Sequence, residues 1–163
     1  MPFCFQLSNM DYYNAISPAY NELHSAEQLE KAAIIRSGCK FEGLLLDIGA
    51  GTGLCTKQFE KMAECIALDP AIEMLKQYKG MKVAARAEQL PFKTGSFDCI
   101  VSITALHHAC LEKAKSEIER AAKKGAKIAI SFFKRAKNFP EAEELFKDFK
   151  KFDSEKDMVF IKQ

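Results

Sequence analysis

The sequence predicts an α/β fold with a doubly wound, mostly parallel sheet, and three observations lead to this prediction. Short apolar segments alternate with helical patterns from residue 44 onward, and such alternation requires parallel pairing through right-handed crossovers. The first apolar segment, 44–48, is nearly unbroken, which is typical of a strand buried on both faces. A glycine-rich segment over 49–53 follows that strand, where parallel sheets of this kind bind their ligands.

The individual elements follow from residue patterns taken in order along the chain. Residues 10–24 carry polar and aromatic side chains at helical spacing, with a break at 17–18. Ser25 and Gln28 form a capping box, which predicts a helix over 25–36. Further helices are predicted over 53–63, from residue 70, over 111–124 and over 141–146; strands are predicted over 44–48, 65–69, 83–85, 97–102 and 127–133, with a closing hairpin over 149–152 and 158–161.

Length and composition indicate one globular domain over residues 1–163, divided into an N-terminal helical cap (1–40) and a core (41–163). About half of the residues, 48%, are hydrophobic and 28% are charged, as in ordinary globular proteins. The net charge of +2 implies no particular partner. Residues 111–163 are more basic than the rest, which indicates either a solvated surface or a weak phosphate-contacting rim.

The cysteines and the apolar runs bear on the compartment of the protein. The six cysteines are scattered without a C-x-x-C pair, which argues against a zinc site or a redox pair. Free thiols fit a reducing cytoplasm, and no run approaches the ~20 apolar residues that span a membrane. The first five residues do not resemble a signal peptide. We therefore expect a cytoplasmic protein with no metal and no membrane partner.

Asp47 begins a D-x-G-x-G-x-G pattern that favours a nucleotide-like cofactor. Because glycine has no Cβ, a ligand can lie against the backbone at Gly49, Gly51 and Gly53. The dinucleotide fingerprint G-x-G-x-x-G fits less well, since the third glycine comes one residue early, and this disfavours a nicotinamide-dependent dehydrogenase. S-adenosylmethionine has a zwitterionic methionine end and no pyrophosphate, so it fits a tight glycine turn beside a carboxylate better.

Residues 47–53 resemble the first motif of the class I S-adenosylmethionine-dependent methyltransferases, and further segments match that family in order. They are 65–70 (C-I-A-L-D-P), 87–92 (A-E-Q-L-P-F), 97–102 (F-D-C-I-V-S) and 106–108 (L-H-H). The resemblance is strongest to the small enzymes of the type 11 kind. It implies a Rossmann-like sheet of about seven strands whose last strand lies antiparallel beside the fifth.

The resemblance also implies the ligand contacts. The loop from Asp47 to Gly53 is expected to bind the methionine end, and Asp69 to accept both ribose hydroxyls, because two adjacent donors suit one carboxylate. Arg86 departs from the family, which often has Asp or Asn there for the adenine amino group. The predicted cofactor contacts are Asp47, Gly49, Ala50, Gly51, Gly53, Asp69, Pro70, Ile72, Ala87, Glu88, Thr104 and Tyr20.

The chemistry of methyl transfer sets what the catalytic side chains must do. Transfer from a sulfonium needs positioning and desolvation rather than a covalent intermediate, and a general base is needed only when the acceptor must lose a proton. His107 and His108 follow the predicted fourth strand and are the candidate catalytic residues; alternatively, they cap or pack a helix. Tyr12, Tyr13 and Tyr20 either approach the sulfonium or anchor the cap.

A small-molecule acceptor in a pocket closed by the N-terminal cap is the favoured interpretation. The segment after the fourth strand lacks an N/D-P-P-Y/F tetrapeptide, and the chain has no Pro-Cys pair, which disfavours two classes of nucleic-acid methyltransferase. Two alternatives stay open. One is an RNA-modifying methyltransferase that uses the basic C-terminal half, and the other is a non-catalytic S-adenosylmethionine-binding subunit of a partner. The oligomeric state is also open.

Overall fold

The computed structural model describes residues 7–163 as a seven-stranded sheet with helices on both faces. The expectations for Cys4 and for a signal peptide therefore lie outside the described residues. The strands are β1 (Leu44–Ile48), β2 (Glu64–Leu68), β3 (Met81–Val83), β4 (Phe97–Ile103), β5 (Ala122–Phe133), β6 (Lys150–Asp153) and β7 (Asp157–Lys162). The helices are α1 (Leu7–Ile16), α2 (Tyr20–Gly38), α3 (Thr56–Phe59), α4 (Ile72–Leu75), α5 (Leu111–Ala121) and α6 (Phe139–Leu145), with a 3-10 turn at Leu106–His108.

The strand order is β3-β2-β1-β4-β5-β7-β6. Strands β1 to β5 pair in parallel, whereas β7 pairs antiparallel with both β5 and β6. The predicted sheet with an antiparallel last strand and a closing hairpin is therefore confirmed. The order runs outward in opposite directions from β1 and from β4, so the crevice for a ligand lies at the carboxyl ends of these two strands.

Buried apolar clusters hold the helices on the two faces of the sheet. On one face, Ile100 and Ile128 belong to a cluster with Ala114 and Ile118 of α5. On the other face, buried residues of β1, β4 and β7 cluster with Ala32 and Ile35 of α2 and with Phe59 of α3. Helix α2 is therefore part of the core layer as well as of the N-terminal region, and the division into a cap (1–40) and a core (41–163) stays a prediction.

The N-terminal helices break where the sequence predicts but start elsewhere. Helix α1 ends at Ile16, next to the predicted break at 17–18, which is confirmed. Helix α2 begins at Tyr20 rather than at Ser25, so the interpretation of Ser25 as a helix cap is wrong. The reason is local: the Leu23 amide already donates to the Ala19 carbonyl at 3.2 Å, which closes the first turn upstream of Ser25.

The predicted helix over 53–63 is reduced to the single turn of α3. Gly53 has φ of 77°, which lies outside helical geometry, so no helix can start there. At the other end, the amides of Met62 and Ala63 both donate to the Phe59 carbonyl, and the chain turns into β2. Glycine at position 53 is required because a Cβ there would lie 2.4 Å from the Tyr78 ring.

Helix α5 and strand β5 meet without a loop, which the sequence does not predict. The helix ends at Ala121 rather than at residue 124, and β5 starts at Ala122 instead of residue 127. Ala122 pairs with Phe97 at the start of β4, and Lys123 donates to the Asp98 carboxylate at 2.8 Å. This tertiary pairing overrides the helix propensity of the lysine-rich segment.

Two further expectations concern the thiols and the membrane. Five cysteines of the described chain are free thiols, in agreement with the absence of a C-x-x-C pair: Cys39, Cys55, Cys65, Cys99 and Cys110. Within residues 7–163, none of the helices combines the length and the apolar character that crossing a bilayer requires.

Candidate active site

A cleft opens at the carboxyl ends of β1, β2 and β4 and has a volume of about 740 Å³, open to solvent on one side. The loop after each of these strands contributes to its wall: Gly49 follows β1, Asp69 follows β2 and Thr104 follows β4. Tyr13 of α1 and Tyr20 of α2 line the same cleft. The fold thus brings segments from four parts of the chain to one place, which we call the cofactor cleft.

The glycine loop forms a wall of bare backbone. Gly49 has φ of 75°, and a Cβ at this position would lie 2.1 Å from the Cβ of Ala105. At Gly51 a Cβ would lie 3.2 Å from the Met74 side chain. The amides of Gly49 and Ala50 both donate to the Leu68 carbonyl, at 2.7 and 3.0 Å, so they hold the loop against β2. The loop therefore offers shape and close approach rather than free amide donors.

Asp69 is anchored by both of its carboxylate oxygens. Oδ2 accepts from the Gly51 amide at 2.8 Å, and Oδ1 accepts from the Ala71 amide at 2.7 Å. Each oxygen has two lone pairs, so each can accept one further hydrogen bond from a ligand in the cleft. Burial raises the pKa of Asp69, and the two amide hydrogen bonds oppose that shift. The geometry suits two neighbouring hydroxyl donors, and Pro70 lies beside it in the wall.

Asp47 lies behind the glycine loop rather than in the cofactor cleft itself. It lines a smaller cavity of about 350 Å³ with Ala50 and with Gln28 of α2, and this cavity shares Gly49 and Gly51 with the cleft. Burial raises the pKa of Asp47 to about 7, although the Thr56 hydroxyl donates to its Oδ2 at 2.7 Å. A buried carboxylate of this kind favours a cationic ligand group, which would restore its charged form.

The predicted adenine contacts are only partly brought together. Ala87, Glu88 and Arg86 line the cofactor cleft, as do Met74 and Leu106, which the sequence did not single out. Ile72 does not line it, and its side chain is 52% exposed, because α4 turns that residue toward solvent.

Glu88 and Gly53 both contact other residues of the protein. Oε1 of Glu88 accepts from the amide of Cys110, at the start of α5, at 3.1 Å, and its Oε2 lies 3.8 Å from the Arg86 guanidinium. Gly53 lines neither cavity, since it packs against Tyr78. Whether these residues also contact the cofactor stays a prediction.

The two candidate histidines occupy different surroundings. His108 lines the cofactor cleft, and its Nε2 lies 3.0 Å from the hydroxyl of Tyr13. Burial lowers the pKa of His108, so the ring is neutral near pH 7 and can accept a proton; burial also raises the pKa of Tyr13, which keeps its hydroxyl protonated. His107 does not line the cleft, and burial lowers its pKa to about 4.

Thr104 sits in a buried polar network that sequence reasoning did not predict. It has φ of 51° and is the one non-glycine residue of the described chain in this left-handed region. Its hydroxyl accepts from Lys31 Nζ at 2.9 Å, donates to Asp157 Oδ2 at 2.8 Å, and lies 3.0 Å from the hydroxyl of Ser131. Because the side chain is committed to this network, only the backbone and methyl group of Thr104 remain for a ligand.

Lys31 and Asp157 form a buried ion pair at 3.0 Å, with side chains 4% and 0% exposed. The two residues are far apart in the chain, and no local sequence pattern predicts that they pair. Tyr13, one of the three cap tyrosines, is half-buried, and no local pattern in the sequence indicates that it meets His108. Among the described residues, no cluster of three metal-ligating side chains occurs.

Comparison with known proteins shows which family has this arrangement. A family model described as "Methyltransferase domain" matches residues 46–130. An uncharacterised protein of Methanocaldococcus jannaschii is 34% identical over 120 residues, which cover 69% of this chain and 47% of that protein. A norajmaline N-methyltransferase of Rauvolfia serpentina is 33% identical over 141 residues, which cover 77% of this chain and 48% of that enzyme. The chain thus spans about half the length of these curated relatives.

Solved structures show the same fold. A putative S-adenosyl-L-methionine-dependent methyltransferase of Methanococcus maripaludis superposes with a TM-score of 0.75 at 16% identity, over 93% of this chain and 91% of that one. This likeness concerns the fold, whereas the family match covers the glycine loop and both strand-end carboxylates. The chain belongs to the methyltransferase-domain family, the S-adenosylmethionine-dependent class I enzymes of the type 11 kind.

Proposed function

We propose that this chain transfers the methyl group of S-adenosylmethionine to a small protic acceptor. The observation that carries the proposal is the pair of carboxylates, Asp47 and Asp69, at the ends of two adjacent strands on either side of a bare glycine wall. Two cavities that share Gly49 and Gly51 give the cofactor room for its adenosine part on one side and its amino-acid part on the other.

The residues fit this cofactor group by group. Asp69 would hold the ribose, because both of its oxygens are fixed by backbone amides and each keeps one free acceptor site. Asp47 would face the ammonium group, since an adjacent cation favours the ionised form of a buried carboxylate. Ala87 and Leu106 supply apolar walls for a purine ring. When bound, the cofactor supplies an electrophilic methyl group on a sulfonium leaving group.

The chain's own contribution to the reaction is positioning, exclusion of water and removal of a proton. Tyr20 lines both cavities, so it is placed to cover the junction where the sulfonium would lie. In the tautomer that leaves Nε2 unprotonated, neutral His108 would accept from the Tyr13 hydroxyl. This pair can then take the proton that a hydroxyl or amine acceptor loses: the acceptor's proton passes to the Tyr13 oxygen as the Tyr13 proton moves to His108 Nε2. His107 has no such route in the cofactor cleft, so we assign the base role to His108 alone.

The small-molecule acceptor is supported by the cover over the cleft and by one relative. Tyr13 of α1 and Tyr20 of α2 line the cleft, and the plant relative is named a norajmaline N-methyltransferase. The RNA-modifying and non-catalytic alternatives predict different outcomes in the same labelled-methyl assay with cell extract. Label in nuclease-sensitive material would indicate RNA, and cofactor binding without transfer to any fraction would indicate a non-catalytic subunit.

Calorimetric titration with S-adenosylmethionine tests the cofactor site. We expect saturable binding that Asp69→Ala weakens at least tenfold, because the variant lacks the acceptors for two ribose hydroxyls. Asp69→Ala also leaves the Gly51 and Ala71 amides without partners, so a matched control is needed. Asp98→Ala is this control, because Asp98 also accepts a hydrogen bond from a backbone amide, that of Leu44 at 2.9 Å. Asp98 lies at the start of β4, at the end of the strand that is opposite to the cofactor cleft. Equal affinity in the unmodified protein and Asp69→Ala contradicts the proposal.

A further inference from the structure

A third cavity lies beside the cofactor cleft, and most of the residues that line it are not among the predicted cofactor contacts. We call it the acceptor chamber; it opens over about 1350 Å³ between α1, α2, the segment after β5 and the β6–β7 turn. It shares Tyr13, Tyr20 and Thr104 with the cofactor cleft. A molecule in the chamber therefore reaches the cleft at the same tyrosines that cover the expected sulfonium position.

Aromatic side chains form the inner walls of the acceptor chamber. Tyr13 contacts both Tyr12 and Tyr20 edge to face, with ring centroids 5.4 Å apart for Tyr12 and 6.2 Å apart for Tyr20. Tyr12 is 57% exposed although it is a large aromatic residue, and it lines the chamber. His107 adds a buried Nδ1 that no described residue satisfies with a hydrogen bond. These walls suit a compact, planar acceptor that also carries a polar group.

The rim of the chamber carries charges of both signs where it meets solvent. Lys134, Arg135 and Lys156 line it together with two acidic residues, Glu27 and Glu155. Glu27 is already neutralised, since it accepts from buried Lys31 at 2.7 Å and from Lys156 at 3.1 Å.

The remaining rim cations differ in what they contact. Lys134 pairs with Asp153. Arg135 forms no ion pair with any residue in the range 7–163, and its side chain is exposed. A guanidinium left without a carboxylate at the mouth of a cavity is a binding group for an anion, because it can donate two parallel hydrogen bonds to a carboxylate or phosphate.

We propose that the acceptor chamber binds a small acceptor that carries an anionic group, and that Arg135 holds this group at the rim while the acceptor atom points inward to Tyr13. The proposal rests on the proposed function, since it names the substrate class of the same site. The shared chemistry is that of a carboxylate or a phosphate on a compact, planar molecule. Lys156 lies on the same rim in the β6–β7 turn, where it pairs with Glu27.

Fractionation of the natural acceptor pool tests the charge of the acceptor. The small-molecule fraction of an extract of the source organism is separated on an anion exchanger, and both the bound and the unbound pools are assayed with methyl-labelled cofactor. We expect label in molecules from the bound pool. Label in the unbound pool overturns the inference while the proposed function stands. Label in macromolecules alone or in no fraction, with calorimetric cofactor binding intact, refutes the transfer to a small molecule that the proposed function states, and the inference with it. Loss of cofactor binding itself is instead the failure of the proposed function.

Charge reversal at the rim tests whether Arg135 binds the acceptor. Arg135→Glu is expected to lower transfer to the bound pool at least tenfold at low acceptor concentration, with the loss recovered at high concentration, and to leave cofactor affinity unchanged. Lys137→Glu is the matched control, because Lys137 is exposed, makes the same charge change two residues away and does not line the chamber. Equal losses in the two variants show a general charge effect and contradict a specific role for Arg135.

Discussion

Replacing Lys31 with methionine removes the cation that faces a fully buried carboxylate. Lys31 Nζ lies 3.0 Å from Asp157, 2.7 Å from Glu27 and 2.9 Å from the Thr104 hydroxyl, and its side chain is 4% exposed. Glu27 keeps Lys156 as a partner and is 37% exposed, so it loses little. Asp157 is 0% exposed and loses the one ion pair that it makes within the described chain.

The size of the effect follows from this burial. Breaking a buried pair by removing one partner costs about 3–5 kcal/mol of unfolding free energy, because it leaves an uncompensated charge. The double variant Lys31→Met, Asp157→Asn should be more stable than Lys31→Met at pH 8, since no charge is then left unpaired.

Urea denaturation at pH 8, analysed by linear extrapolation, measures these differences in unfolding free energy. Lys76→Met is the control, because Lys76 forms a comparable contact with Glu73 at 2.7 Å but both side chains are more than half exposed. That variant should remain within about 0.5 kcal/mol of the unmodified protein. A loss below ~1 kcal/mol in Lys31→Met at pH 8 refutes the reasoning, as does a double variant that is no more stable than Lys31→Met.

Two further predictions concern the loop after β1. Burial raises the pKa of Asp47 to about 7, so the carboxyl is protonated in the free protein below that pH. Affinity for S-adenosylmethionine should therefore fall up to about tenfold for each pH unit below 7. Calorimetry should show no such pH dependence in Asp47→Asn. Gly49→Ala should lower the unfolding free energy by about 3 kcal/mol or more, because the residue has a positive φ and its new Cβ would overlap with Ala105. Gly95→Ala also has a positive φ but lies in open space, so it should cost only about 1–2 kcal/mol in the same urea denaturation experiment. Equal losses in the two variants would show that the overlap is unimportant.

The sheet could be predicted from the sequence because its signals are local. Each strand combines an apolar run with a turn or an acid at its end, as at Asp47 and Asp69, and these patterns need no knowledge of distant residues. Segment lengths were less predictable. The end of α5 depends on the pairing of Ala122 with Phe97, and the reduced α3 depends on Tyr78 packing against Gly53. Both are tertiary contacts that a pattern of propensities does not contain.

The candidate site was predictable to the same extent. The glycine loop and the two carboxylates lie in motifs, and the structure places Gly49, Gly51 and Asp69 in one cleft. The partners that complete it come from distant positions: Tyr13 meets His108 across 95 residues, and Lys31 meets the hydroxyl of Thr104 across 73. Sequence reasoning gave His107 and His108 the same candidate role, whereas in the fold His108 lines the cofactor cleft and His107 does not. Their catalytic role stays a prediction, and the difference in their surroundings comes from the fold rather than from a local pattern.

The position of Asp157 at the start of β7 also affects when its buried network can form during synthesis on the ribosome. Lys31 and Thr104 are synthesised long before residue 157, and during that interval Lys31 has Glu27 but not Asp157 as a carboxylate partner. The buried network around the Thr104 hydroxyl is therefore incomplete until residues 157–162 pair with β5. The wall of the cofactor cleft at Thr104 thereby depends on β7, which is synthesised after β1 to β6.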